Sequence, residues 1–124
     1  MCGTVRFRIG APPLLSMACH CKGCQRLTAS PFSLSIAVPE DAFAVTRGEP
    51  VLGGMRGKHR QCYCPDCRNL LFTRPAGLDI VNVRPTMLDQ EWEEPPFIEA
   101  HREEGVGWAR TPAVHLSLIH ISEP

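Results

Sequence analysis

Apolar and polar residues alternate along several short stretches of the chain, which is the pattern of half-buried β-strands. Every second residue is apolar in residues 4–9 and again in residues 32–38. The turn-forming residues 47–50 separate two shorter runs, 45–46 and 51–52, which we expect to pair as a hairpin. Further short strands are predicted at residues 70–73, 80–83 and 97–101, and residues 14–18 form a short apolar segment that leads to Cys19.

Helical signals are few. Residues 21–27 have room for one or two helical turns, and residues 40–43 for a single 3₁₀ turn after Pro39. No stretch keeps helical periodicity over three turns. The predicted fold class is therefore mostly β, a small domain of short antiparallel strands with little helix.

The length and net charge of the chain limit the number of domains and the classes of partner that we expect. It has 124 residues, which is room for one domain. Lys plus Arg and Asp plus Glu each number 13, so the formal net charge is zero at pH 7. We therefore expect neither a nucleic-acid partner held through its phosphates nor an anionic membrane surface. No run of 18 apolar residues is present, which argues against a membrane-spanning helix.

The last nine residues, 116–124, read LSLIHISEP and resemble a translated sequencing-library adapter. The alternative is a genuine C-terminal strand, because the segment contains several apolar residues. We expect a single domain over residues 1–115, with the adapter-like segment outside its fold.

The most informative feature of the composition is the presence of seven cysteines in so short a chain. An odd number fits a complete set of disulfides poorly, and the chain opens without a basic and then apolar signal segment. We therefore expect a reducing compartment, the cytoplasm, where clustered cysteines more often bind a metal than form disulfides.

The first cluster is Cys19-His20-Cys21-Lys22-Gly23-Cys24, a C-x-C-x-x-C spacing. On an extended segment Cys19 and Cys21 share one face, and a tight turn at Gly23 returns Cys24 to them. Three thiolates suit Zn²⁺ and leave its fourth position open, as in catalytic sites. We expect His20 to point away, toward a neighbouring group or solvent, rather than to be the fourth ligand.

The second cluster is Cys64-Pro65-Asp66-Cys67, a zinc-knuckle spacing that needs further ligands. Cys2 and Cys62 are the candidates, Cys62 because it lies two residues before Cys64. The alternative interpretations of both clusters are redox-active dithiols, or thiols brought together by chance in a cysteine-rich chain.

Taken in order along the chain, these motifs resemble the family of glutathione-dependent formaldehyde-activating enzymes and centromere protein V. The resemblance runs from Cys2 to about Trp108. It rests on CGTVRF at residues 2–7, CHCKGCQR at 19–26, TASPF at 28–32, YCPDC at 63–67, TMLD at 86–89, His101 and Trp108.

The resemblance implies a zinc-bearing β-tent fold with two zinc ions. Cys19, Cys21 and Cys24 match the ligands of the catalytic zinc. Cys2, Cys64 and Cys67 match three ligands of the structural zinc, and the fourth family cysteine would fall just before Met1. We therefore expect the true N-terminus to lie upstream, with Cys62 as another candidate for the fourth ligand.

Two positions depart from the family pattern, and both raise a question of backbone conformation. Arg68 follows Cys67 where the family typically has Gly, and Ala29 stands where Gly is common. The turn at Arg68 is therefore expected to require a positive φ.

The activity implied by the resemblance is a carbon–sulfur lyase reaction that joins glutathione to formaldehyde as S-hydroxymethylglutathione. We expect a substrate thiol at the open zinc position and a small aldehyde as its partner, with His20 and His101 as candidates for proton transfer. Lys22 or Arg26 could meet a carboxylate of glutathione, although a solvated surface charge is the favoured interpretation of each.

Phe97 and Trp108 are expected in the core. The alternative is a non-catalytic, zinc-stabilised interaction module of the centromere protein V branch.

Overall fold

The computed structural model describes residues 2–53, 59–92 and 94–113, together with the backbone of a short strand at 115–116. Three single 3₁₀ turns, at Glu40–Ala42, Pro85–Met87 and Arg102–Glu104, join the longer elements. The strands are β1 (Arg6–Ile9), β2 (Leu15–Cys19), β3 (Ser33–Pro39), β4 (Phe43–Arg47), β5 (Val51–Gly53), β6 (Arg60–Tyr63), β7 (Leu70–Arg74), β8 (Ile80–Val83), β9 (Ile98–Ala100) and β10 (His115–Leu116), and the helix is α1 (Lys22–Thr28).

The described strands form two sheets. Strands β1 and β4 pair with each other, and the other eight form a larger sheet in the order β10-β9-β2-β3-β8-β7-β6-β5. The prediction of a mostly β fold of short strands with little helix is confirmed. One detail differs, because β9 runs parallel to both of its neighbours, β2 and β10, while the other pairs are antiparallel.

The predicted hairpin across residues 47–50 is wrong. Strand β4 pairs with β1, in a register that places Phe7 opposite Val45 and Ile9 opposite Phe43. Strand β5 instead pairs with β6 at the edge of the larger sheet. The turn residues suit a crossing between sheets as well as a hairpin, and the apolar face of β1 offers β4 the better partner.

The main core lies between the small sheet and one face of the larger sheet. Alternation along β3 and β8 directs Ile36, Val38, Val81 and Val83 into this layer, where each is at most 1% exposed. Three aromatic rings join the two sheets: Phe72 packs edge-on against Phe43 with centroids 4.7 Å apart, and Phe7 lies 6.1 Å from Phe72.

The expectation that Phe97 and Trp108 belong to the core is wrong. Phe97 is 46% exposed and Trp108 is 77% exposed. Phe97 directly precedes β9, and Trp108 lies in a turn after the last 3₁₀ turn, so neither side chain occupies an inward position of a strand. An apolar residue type alone does not determine burial.

Two further expectations concern a membrane-spanning helix and the C-terminal segment. In the described part of the chain, α1 has only seven residues, and no helix reaches the length and apolarity needed to cross a bilayer. The interpretation of residues 116–124 as an adapter falls outside the described residues, apart from the backbone of Leu116, which pairs with Glu99.

Replacing Phe72 with alanine tests the position of the core. Removing a ring that is 1% exposed should lower the free energy of unfolding by about 3–5 kcal/mol, because lost burial and a cavity both contribute. Phe97→Ala is the matched control and should change it by less than about 1 kcal/mol. Urea denaturation measures both variants, and equal losses would contradict the assignment of the core.

Candidate metal centres and the adjoining cavity

The first cysteine triad lies where β2 passes into α1. Cys19 is the last residue of β2, Cys21 is the N-cap of α1, and Cys24 lies in the first turn of the helix. Cys21 has an extended backbone, and its Sγ accepts a hydrogen bond from the backbone N–H of Cys24 at 3.3 Å. The three sulfur atoms lie within 4.8 Å of one another, so the predicted convergence of these residues is present in the structure.

Hydrogen bonding among these thiols separates their pKa values. Hydrogen bonds from Cys19 and Cys24 lower the pKa of Cys21 to about 2. Hydrogen bonds with Cys21 and, to a lesser extent, Cys24 raise the pKa of Cys19. Burial of the Cys19 thiol raises its pKa further. The triad therefore stabilises one thiolate with the protons of the other two. A soft divalent cation could replace those protons, and the all-sulfur donor set fits Zn²⁺.

The second triad joins the start of the chain to the turn between β6 and β7. Cys2, Cys64 and Cys67 bring their sulfur atoms within 4.8 Å of one another, and the Sγ atoms of Cys2 and Cys64 are 3.5 Å apart. Hydrogen bonds with Thr4 lower the pKa of Cys2 to about 6. The Thr4 hydroxyl in turn donates to the carboxylate of Asp66, which ties the N-terminal segment to this turn.

Cys62 does not join this group. Among the described residues, the sets of ligand atoms that lie close enough for one ion do not include its sulfur. Cys62 is 7% exposed and belongs to the hydrophobic core, where burial raises the pKa of its thiol. The geometry therefore gives no support to Cys62 as a fourth ligand.

Both positions at which the sequence departs from the glycine-rich family pattern have left-handed backbones. Arg68 has a φ of 66°, and its N–H closes the turn by donating to the carbonyl of Cys64 at 3.0 Å. Ala29, the C-cap of α1, has a φ of 53°. The expectation of a positive φ at Arg68 is confirmed, and both residues adopt a conformation that favours glycine.

His20 points away from the triad, as expected, but it is fully buried rather than facing solvent. Its Nε2 lies 2.7 Å from Oε1 of Glu99 on β9. Its Nδ1 has no hydrogen-bond partner among the described residues, so the hydrogen is assigned to Nε2, which donates to the carboxylate. The ring also packs against the backbone at Gly105, where a Cβ would lie 2.9 Å from Nδ1.

Several polar residues hold β2, α1 and the segment after β9 together around His20, and no pattern in the sequence singled them out. Arg102 contacts the same Glu99 oxygen at 3.4 Å. Gln25 donates from its side chain to the carbonyls of His20 at 2.7 Å and Glu104 at 3.0 Å. Glu104 also accepts the backbone N–H of Lys22 at the start of α1, at 2.9 Å. The two contacts that involve Glu104 join segments about 80 residues apart, so local spacing in the sequence gave no signal for them.

A cavity of about 290 Å³ adjoins the first triad, whose three cysteines form part of its lining. The lining also includes His101, which is 7% exposed, and Arg84. Arg84 donates to the carbonyl of Leu34 and to the hydroxyl of Thr73, each at 3.1 Å, and burial lowers the pKa of its guanidinium. The second triad contributes no residue to this lining.

The other candidate residues are distributed unevenly around this cavity. His101 lies 3.8 Å from a carboxylate oxygen of both Glu103 and Glu104. Lys22 and Arg26 are exposed, as the favoured interpretation had it, and neither is part of the cavity lining. Arg84, which the sequence analysis did not single out, is the residue that brings a fixed positive charge to the lining.

Two sheets of short strands that bring together two cysteine triads, one of them beside a cavity, define a small β domain with two all-cysteine candidate metal centres. The model of the glutathione-dependent formaldehyde-activating enzyme family matches residues 1–103, and the chain belongs to this family. The resemblance seen in the sequence is thereby confirmed.

Comparisons beyond the family model are sparser. No curated protein sequence matches the chain. Among solved structures, the fold is similar to the crystal structure of a Rhodobacter sphaeroides protein determined as a structural-genomics target. That match has a TM-score of 0.58 and 18% sequence identity, and it covers 71% of this chain and 83% of the other. At this identity the likeness concerns the fold.

Removing the Glu99 carboxylate tests the polar contacts that hold β9 against the segment that contains the first triad. Glu99→Ala leaves buried His20 and Arg102 without their acceptor and should lower the free energy of unfolding by about 3–5 kcal/mol. Glu40→Ala is the matched control, because Glu40 is 54% exposed and its pair with Arg74 spans 3.4 Å. The control should cost at most about 1 kcal/mol. Chemical denaturation measures both, and similar losses would count against the role given to Glu99.

Arg68→Gly should stabilise the protein by about 0.5–1 kcal/mol, since glycine adopts a φ of 66° without a side-chain clash. Arg68→Ala is the control that retains the clash while removing the same charge. A shift of the denaturation midpoint in both variants alike would attribute the effect to charge instead.

Proposed function

We propose that the protein is a zinc-dependent enzyme of the carbon–sulfur lyase type that joins a thiol to formaldehyde or another small aldehyde. Glutathione is the thiol that the family description names. The small molecules are its partners in this proposal, with no nucleic acid and no membrane involved. A reducing compartment, the cytoplasm, would keep its seven cysteines available for metal.

One observation carries the proposal: the sulfur atoms of the first triad lie beside a cavity of about 290 Å³. A site that only braces a fold gains nothing from a neighbouring cavity, and a fourth protein ligand usually closes it. The nearest histidine in sequence, His20, is engaged with Glu99 instead. The arrangement therefore favours catalysis over the non-catalytic interaction module.

In this proposal Cys19, Cys21 and Cys24 hold the catalytic zinc, and Cys2, Cys64 and Cys67 hold a structural one. The catalytic ion, when bound, lowers the pKa of a substrate thiol presented to it. The second triad is separate from the cavity lining and ties the N-terminal segment to the turn after β6, which suits a structural role.

The protein's own residues position the reactants. The reaction forms one bond between the thiol sulfur and the aldehyde carbon, opens the C=O double bond, and transfers the thiol proton to the former carbonyl oxygen. Arg84 contributes positive charge beside the cavity where negative charge develops on that oxygen. His101 is the proposed proton carrier, because its ring is part of the cavity lining, whereas His20 is not.

Zinc content and exchange kinetics test this proposal together. The protein purified under reducing conditions should contain two zinc ions per chain by elemental analysis. It should also speed the exchange between free ¹³C-formaldehyde and its thiol adduct, measured by NMR, above the uncatalysed rate. Cys24→Ser should retain one zinc and lose that acceleration, because one ligand of the catalytic ion is missing.

Cys62→Ser is the control cysteine variant, since Cys62 lies in the core and outside both triads. It should keep both zinc ions and the exchange rate while losing about 1–3 kcal/mol of stability from a buried hydroxyl. Two zinc ions without any acceleration would instead support the non-catalytic interaction module. A protein without zinc would refute both metal assignments.

A further inference from the structure

The cavity beside the first triad is much larger than a small aldehyde needs. Its volume is about 290 Å³, whereas a water molecule in the liquid takes about 30 Å³, and formaldehyde has only two heavy atoms. Most of the space is therefore available to the organic part of the thiol, whose sulfur must reach the triad if the proposed function holds.

The floor of the cavity is one face of the larger sheet, opposite the face that forms the main core. Strand register places Leu15 opposite Ala37, and Ala37 opposite Asn82. Thr73 follows Asn82 on the next strand, and Gln61 follows Thr73. The row thus passes from aliphatic side chains near β2 to neutral polar ones near β6, all of which are part of the cavity lining.

The walls and the mouth add apolar surface. Met17 is 5% exposed, Leu27 comes from α1 and Ile80 from the start of β8. Leu78, which precedes β8, is 47% exposed and so reaches solvent at the edge of the cavity. A thiol with a hydrocarbon body would cover this surface from water.

The charges of the residues that line the cavity also disfavour a thiol with a cationic group. Arg84 carries a fixed positive charge, and no Asp or Glu is found among the described residues that line the cavity. An ammonium group entering this space would leave water without gaining a carboxylate; among the described lining residues its anionic partners are the sulfur atoms of the first triad, and Arg84 already supplies a positive charge beside them, so its desolvation is costly. Glutathione brings one ammonium and two carboxylates, so its polar end matches this lining poorly.

We infer that the cavity selects a thiol with an apolar body, no cationic group and at most one carboxylate, in preference to glutathione or an aminothiol. This inference rests on the proposed function, because it presumes that the sulfur binds at the first triad. Its basis is separate, however: the apolar walls and the absence of acidic side chains from the described lining.

A pair of thiols of equal size tests the preference. Propane-1-thiol and 2-aminoethanethiol have the same number of heavy atoms and end in a methyl and an ammonium group respectively; because the ammonium group also makes its thiol more acidic, the two affinities are compared after correction for the fraction of thiolate. Isothermal titration calorimetry on the zinc-loaded protein should give propane-1-thiol an affinity at least about tenfold higher, since the ammonium finds no carboxylate in the cavity. Glutathione, titrated in parallel, should also bind more weakly than propane-1-thiol.

Two leucine variants show whether the cavity causes the difference. Leu78→Asp adds a carboxylate at the edge of the cavity and should reduce the tenfold preference to about threefold or less. Leu14→Asp is the matched control, because Leu14 is also exposed, at 63%, and is not part of this cavity's lining. It should leave the preference unchanged.

The outcomes separate the inference from the proposed function. Equal or tighter binding of 2-aminoethanethiol or glutathione would overturn the inference while leaving the proposed reaction intact. A preference that Leu78→Asp and Leu14→Asp change equally would also overturn it. Failure of all three thiols to bind the zinc-loaded protein would refute the proposed function itself.

Discussion

The buried contact between His20 and Glu99 determines how the rest of the first triad is presented. His20 stands between two of the cysteines, and Glu99 lies on β9, which runs parallel to β2. The contact therefore fixes the rotation of the chain just where it leaves the strand for the helix. With His20 directed toward β9, the neighbouring cysteines at positions 19 and 21 are left to face the cavity side.

The same corner shows how a short helix is held without long-range apolar burial. Helix α1 has seven residues and none of them is fully buried. An isolated helix of this length is unstable in water. Here Glu104 accepts an N–H at its start, and Gln25 donates to two backbone carbonyls nearby. Polar contacts to the segment after β9 thus take the place of a hydrophobic docking face.

Much of the fold follows from local patterns in the sequence. Strands β1 and β3 were predicted because one face of each is apolar, and the sulfur atoms of Cys19, Cys21 and Cys24 converge within six residues. The pairing of β4 was predicted wrongly because the residues around Gly48 suit either a hairpin or a crossing between sheets. Only the competition among possible strand partners decides between them, and that competition is not local.

The cavity illustrates the same limit. Ser33 and Ser35 alternate with the apolar residues of β3, which predicts a solvent-facing side for that strand. Both are nevertheless nearly buried, because that side of the sheet forms the floor of the cavity. Likewise, no local pattern in the sequence singles out Arg84. It lines the same cavity as the first triad, whose cysteines lie about 60 residues earlier in the chain.

The two triads also differ in what they do to the topology of the chain. Cys19, Cys21 and Cys24 close only a very short loop, whereas Cys2 and Cys64 are 62 residues apart. An ion held by Cys2, Cys64 and Cys67 would act as a cross-link on the unfolded chain, and closing a loop of this length removes entropy equivalent to about 4 kcal/mol. Chelation at this site would therefore remove a constraint that spans roughly half of the unfolded polypeptide, whereas loss of the other ion would remove a constraint over only a few residues.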